Sequence, residues 1–144
     1  MTTEKFSVAT YQLSSYAFAS PGEVAFLSIG DGHDFSVKRG FAYEARLFSG
    51  VPVPNSVSHR RPFPDAVLFS VQYAVSRDYL ELAYDLLSRE KLVTFQFTYS
   101  GPKLISGDEE AGGSNSRTLD GISILSGDEP VGEVESLLEE IRSS

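Results

Sequence analysis

Apolar and polar residues alternate along most of this chain, and the alternation predicts a mainly β protein. A period of two residues is typical of strands, because successive side chains point to opposite faces of a sheet. Residues 23–29 are apolar on both faces, which favours a strand with neighbours on both sides. The strands that this pattern predicts are residues 5–13, 23–29, 41–49, 66–75, 92–99 and 118–126, with a short one at Phe35 and Val37.

Two segments have helical spacing instead. From Asp78 to about Glu90, leucine, tyrosine and alanine recur at intervals of three and four residues and form an apolar stripe. Asp78 followed by Glu81 has the form of a capping box, so we expect Asp78 to be the N-cap of the helix. Residues 130–142 repeat the helical spacing, with acids early and Arg142 late, and predict a second helix.

Proline and glycine mark the segments that lack either period. Residues 50–65 contain four prolines beside several large apolar residues, so we expect neither a helix nor a central strand but an extended packed arm. Residues 100–117 are rich in glycine, serine and acids, which predicts a mobile loop. The prediction is one domain, residues 1–144, mainly β with one or two helices (α+β). Its expected architecture is an antiparallel β-sandwich or barrel flanked by a helix, with an acidic C-terminal segment at 127–144.

Composition narrows the class of protein. A length of 144 residues suffices for one domain with its own core. The absence of cysteine excludes disulfides, thiolate zinc sites and cysteine nucleophiles. No apolar run is long enough for a membrane helix, and the N-terminus lacks the basic flank and apolar stretch of a signal peptide. We therefore expect no membrane partner, and a cytoplasmic location if the protein is not part of a virion.

Charge is distributed unevenly. The net charge is −8, yet residues 1–104 carry ten acids and ten bases, whereas residues 105–144 carry ten acids and two arginines. An acidic field repels phosphates, so we expect no sequence-specific nucleic-acid binding. The acidic part is either a solvated tail that aids solubility, or a surface that faces polyanions without binding them or meets a basic patch on a neighbour. The candidate basic patch consists of Lys38, Arg39, Arg46, His59, Arg60 and Arg61.

Catalytic signatures are missing from the sequence. It contains no phosphate-binding glycine motif, no zinc-protease motif and no nucleophile elbow. His33 lies between Asp31 and Asp34, but aspartate and glycine are ordinary turn residues, so a turn is favoured over a cation site. We expect neither an enzyme nor a metal or other cofactor.

The order of elements from residue 66 onward carries a resemblance. It runs strand, amphipathic helix, strand, loop, strand, and then Gly-Asp-Glu-Pro-Val-Gly-Glu-Val from residue 127. This order resembles the tail tube proteins of long-tailed bacteriophages and, more distantly, the tube protein of type VI secretion systems, over about half the chain. The resemblance implies a β-sandwich flanked by one helix that stacks as hexameric rings around a channel. The family ends in a strand, whereas residues 130–142 have helical spacing, so another tail component such as a terminator or neck protein stays open.

The resemblance implies a virion structural protein, assembled in the host cytoplasm, whose rings form a tail tube for DNA passage. Its partners would then be further copies of itself and other tail proteins. An alternative is a monomeric β-sandwich binding or inhibitory module that uses residues 50–65 for recognition. The candidate subunit-interface residues are Val53, Pro54, His59, Arg60, Arg61 and Phe63. The candidate lumen or partner-facing acids are Asp108, Glu109 and Glu110.

Overall fold

Side chains from seven of the eight described strands, together with one face of a helix, form the interior of this protein. A computed structural model describes residues 1–17, 22–90, 92–101 and 116–126. The elements of this part of the chain are β1 (Thr2–Ser7), β2 (Thr10–Ala17), β3 (Glu23–Gly30), β4 (Gly40–Ser49), β5 (Ser56–Phe63), β6 (Ala66–Ala74), α1 (Arg77–Arg89), β7 (Val93–Tyr99) and β8 (Ser116–Ser126).

The strands are hydrogen-bonded in the order β1-β7-β8-β5-β6-β4-β3-β2. Neighbouring strands are antiparallel except for β4 and β6, which run parallel. This parallel pair arises because β5 intervenes in the chain between them but lies on the other side of β6. The predicted class, mainly β with a flanking helix, is confirmed, and the β4–β6 pair is the departure from an antiparallel arrangement.

Two strand segments change partners along their length and divide the sheet into two layers. Between Ser7 and Thr10 the chain leaves β7 and joins β3, so the single predicted strand at 5–13 is two nearly continuous strands, β1 and β2. β8 pairs with β5 as far as Thr118 and with β7 from Leu119 onward. The smaller layer is therefore β1, β7 and most of β8, and the larger layer is β2 to β6 with the start of β8.

Aromatic rings connect the two layers. The ring of Tyr43 on β4 lies 5.4 Å from Phe6 of β1 and 4.7 Å from Phe69 of β6, stacked on both. Phe95 and Phe97 of β7 are fully buried beneath them. Each buried ring removes on the order of 150–250 Å² from water, which makes this cluster a large part of the hydrophobic stabilisation. Helix α1 packs against β3 and β4 and contributes Leu80, Ala83 and Leu87 to the core.

A buried carboxylate lies beside the aromatic cluster. Glu4 of β1 is 8% exposed, and its Oε2 accepts a hydrogen bond of 2.8 Å from the Tyr99 hydroxyl. Burial raises the pKa of Tyr43 to about 12, and the charges of Glu4 and Asp31 and a side-chain hydrogen bond with Glu4 add to this effect. Two tyrosine hydroxyls, those of Tyr43 and Tyr99, thus interact with one carboxylate.

The N-cap of α1 lies two residues earlier than the capping-box pattern predicted. Ser76 is the N-cap, and its side chain accepts a hydrogen bond of 3.1 Å from the backbone N–H of Tyr79. Asp78 lies in the first turn instead. The start is set by the preceding strand, because the N–H of Val75 still bonds to Phe48 O and the chain can turn only after it.

The prediction that residues 50–65 contain no central strand is wrong. β5 occupies this segment and pairs with β6 on one side and β8 on the other. The prolines lie where ladder bonds are not required: Pro52 and Pro54 precede β5, and Pro62 lies at the register shift between Arg60 and Phe63.

One predicted strand and one boundary of the predicted loop also differ from the structure. The short strand predicted at Phe35 and Val37 is a turn, in which the Asp34 carboxylate accepts hydrogen bonds from the N–H and the hydroxyl of Ser36. Ser116 and Arg117, predicted in the loop, belong to β8. The rest of that loop and the predicted helix at 130–142 fall outside the described residues.

The Tyr43 hydroxyl should make the protein less stable in alkali. Its ordinary pKa is 10.0 and its pKa in the folded chain is about 12, so between these values the unfolded chain ionises while the folded chain keeps its proton. The free energy of unfolding therefore falls as pH rises through this window. Urea unfolding from pH 8 to pH 12 should show a shallower decline for Tyr43→Phe than for the wild type, and parallel curves would contradict the assignment.

The two helix-start residues should differ in their effect on stability. Ser76→Ala removes the acceptor for the Tyr79 N–H and should lower the free energy of unfolding by about 1 kcal/mol. Asp78→Asn loses only a favourable charge in the first turn, which is worth about 0.3–1 kcal/mol when exposed. Thermal unfolding of both variants tests the N-cap, and a larger loss for Asp78→Asn would contradict it.

Candidate functional site

The outer face of the larger layer carries two adjacent rows of polar side chains, here called the polar belt. Strand register places the members of each row opposite one another on neighbouring strands. Their sequence neighbours point inward, because side chains alternate between the faces of a strand. The first row is Gln12, Ser28, Arg46, Gln72, Ser56 and Thr118. The second row is Thr10, Glu44, Ser70, Ser58 and Ser116, with Gly30 in register between Thr10 and Glu44.

Three adjoining depressions along the polar belt form a groove that runs across the strands. A depression of about 240 Å³ near β2 and a central one of about 530 Å³ share Glu44 and Arg46 in their linings. The central one shares Ser56 and Ser116 with a third depression of about 650 Å³ near β8. Six strands at a spacing of about 4.8 Å give the groove a length on the order of 24 Å.

The groove has an excess of positive charge. Arg46 and Arg60 line its centre, against one carboxylate, Glu44, which accepts a hydrogen bond of 2.9 Å from Ser70 Oγ. Within the described part of the chain, neither Arg46 nor Arg60 forms an ion pair or a side-chain hydrogen bond. Guanidinium groups bind carboxylates and phosphates in a bidentate manner, so the groove suits an anionic group.

The predicted basic patch is divided by the alternation of β5. Arg60 points to the groove, whereas His59 and Arg61 share the inward-facing parity of Val57. The His59 ring lies 6.4 Å from the Phe69 ring, and Arg61 Nε is buried without a hydrogen-bond partner among the described residues. Two other members of the patch lie outside β5. Lys38 and Arg39 follow the turn after β3, and Arg39 forms an ion pair of 3.4 Å with Asp65.

The predicted interface residues do not form one surface. Val53 and Pro54 precede β5, and Pro54 lines the third depression. Phe63 lies at the other end of β5, is 42% exposed, and has the Arg39 guanidinium 3.7 Å above its ring. The predicted acidic residues, Asp108, Glu109 and Glu110, fall outside the described residues.

A second feature, missed in the sequence, is the β2 edge, defined as the outer side of Thr10–Ala17. No strand of the described ranges pairs with this side of β2. The strand contains no charged residue and no proline, and its Tyr11, Leu13 and Tyr16 are 41%, 39% and 51% exposed. The strand at the other end of the sheet, β1, includes Lys5. Charges and prolines are common protections of natural edge strands, and the β2 edge has neither.

The aromatic side chains of the β2 edge are part of a wider apolar surface. The Tyr11 ring lies 5.9 Å from the ring of Tyr84 on α1. On the opposite face, Tyr16 stacks on Phe26 at 6.0 Å, and Phe26 lies 5.7 Å from Phe48. Apolar area thus flanks the unpaired backbone on both faces of the sheet.

Charge reversal at two neighbouring positions of β5 should distinguish a side chain that faces the groove from one that faces the interior. Arg60→Glu places a carboxylate on an exposed side chain and should change the free energy of unfolding by less than about 0.5 kcal/mol. Arg61→Glu places it on the inward face and should lower this free energy by roughly 2 kcal/mol or more. Urea unfolding compares them, and equal losses would contradict the inward placement of Arg61.

Three further findings concern metal ions, membrane-spanning helices and similarity to known proteins. Among residues 1–17, 22–90, 92–101 and 116–126, no three histidine or carboxylate side chains come close enough to share a metal ion. None of the helices in those ranges has the length and hydropathy to cross a bilayer. No protein-family model, no curated protein and no solved structure matches this chain.

Proposed function

We propose that this chain is a structural subunit that associates with copies of itself through the β2 edge. The observation that carries the proposal is an eight-residue edge strand without charge or proline and with exposed apolar side chains. In the form that the sequence resemblance favours, the assembly is a stack of rings that forms a bacteriophage tail tube. The mainly β fold with a helix packed on its sheet is the fold expected for such a subunit.

Edge pairing has a direct physical basis. The outer N–H and C=O groups of β2 are hydrogen-bonding groups in a regular row, and a strand from another copy would satisfy them as a ladder. Tyr11 and Leu13 would lose exposed apolar area at the same time. A stable interface buries on the order of 800 Å² from each partner, so the contact has to extend beyond β2. Tyr84, in ring contact with Tyr11, gives it a surface on α1.

A charge placed on the β2 edge should prevent association. Leu13→Lys puts an ammonium group beside the unpaired backbone and should shift the protein to the monomer. Leu82→Lys is the matched control, since Leu82 on α1 is 64% exposed and lies outside the edge strand. Light scattering on a sizing column measures the mass, and negative-stain electron microscopy shows whether rings or tubes form.

Association of the wild type and of Leu82→Lys, with loss of association in Leu13→Lys, supports the proposal. A wild-type chain that stays a 15.7 kDa monomer at millimolar concentration contradicts it and favours the monomeric binding module. Assemblies that persist in Leu13→Lys would place the subunit contact elsewhere on the molecule.

A further inference from the structure

The arginines of the groove lack described carboxylate partners, although the chain as a whole is acidic. We propose that the groove binds the acidic C-terminal segment, residues 127–144, of a second copy of this chain. The inference rests on the self-association proposed above and adds to it a contact of opposite electrostatic character. It also assigns a role to the most acidic part of the sequence.

Charge complementarity is the first argument. Residues 127–144 contain six acids and a single arginine, Arg142. The groove presents Arg46 and Arg60 against the single carboxylate of Glu44. Each guanidinium can hold a carboxylate by two parallel hydrogen bonds, which favours arginine pairing with acidic side chains over loose ion pairing.

The remaining lining of the groove suits a peptide. Serine hydroxyls and the Gln72 amide line the central depression, and Asn55 and Thr118 line the depression near β8. These groups donate and accept hydrogen bonds, so they can bond to the backbone of an extended segment as well as to its side chains. The length of the groove, on the order of 24 Å, matches roughly seven or eight extended residues.

The position at which β8 ends favours a second copy as the source of the bound segment. β8 ends at Ser126, opposite Val93 at the start of β7 in the smaller layer. The groove lies on the outer face of the larger layer, so it faces away from the layer in which the segment begins. A neighbour stacked head to tail would present its smaller layer to the groove. Such a heterologous contact closes into rings or continues as a filament.

Charge reversal in the full-length chain tests the contact. The double variant Arg46→Glu/Arg60→Glu should weaken association at least tenfold in sedimentation experiments at low salt. The matched control is Lys38→Glu/Arg39→Glu, which changes the net charge equally at exposed positions outside the groove and should associate as the wild type does. Association of the wild type should also weaken as sodium chloride screens the pairs.

A charge swap and a cross-link identify the occupant. The groove variant mixed with Glu139→Lys/Glu140→Lys should associate more tightly than either variant alone. In Arg46→Lys, carbodiimide should couple the introduced amine to a carboxylate of 127–144. Chains that are co-assembled from ¹⁵N-labelled and unlabelled protein should then give cross-linked peptides of mixed isotope composition.

The outcomes separate this inference from the function on which it rests. A monomeric wild type overturns the self-association itself. A wild type that associates, with a groove variant that associates equally well, overturns only the proposed role of the groove. Cross-links confined to peptides of a single isotope composition would place the segment in the groove of its own chain and overturn the second-copy assignment.

Discussion

The alternation of side chains across the larger layer is the constraint on which the rest of the structure depends. Leu27, Leu47 and Val71 point inward from β3, β4 and β6 and form the core with the rings of the smaller layer. The residues beside them point outward and form the polar belt. A shift of register by one residue would exchange the two sets, so the hydrophobic core that stabilises the fold also keeps the groove in register.

The two proposed contacts differ in physical character. The β2 edge offers backbone groups and apolar side chains, whose association strengthens with the area buried and responds weakly to salt. The groove offers guanidinium groups, whose attraction to carboxylates is screened within about 10 Å at 0.1 M salt. A protein that uses both can respond to ionic strength at one contact while it retains the other. The two contacts also match the charge distribution, which is neutral over residues 1–104 and acidic over residues 105–144.

More of the fold than of the candidate site could be predicted from the sequence. Strict alternation identified β7, and helical spacing identified α1 although its start was misplaced. β5 was not predicted because the sequence does not distinguish prolines that flank a strand from prolines that interrupt it. The groove escaped because its members, from Gln12 to Thr118, are distant in the chain and meet only through register. The predicted basic patch of six residues is not one surface, because side chains that are neighbours in a strand point to opposite faces of the sheet.

The pairing of the first strand with the seventh has a consequence for biosynthesis. Thr2 lies opposite Tyr99, and Glu4 receives its hydrogen bond from that same tyrosine. β1 therefore has no sheet neighbour until β7 has left the ribosome, and non-local pairing of this kind is slow to form. During that interval β1 and the outer side of the uncharged β2 are exposed together on the nascent chain. Neighbouring ribosomes on one message would bring several such segments close together, where premature pairing competes with folding.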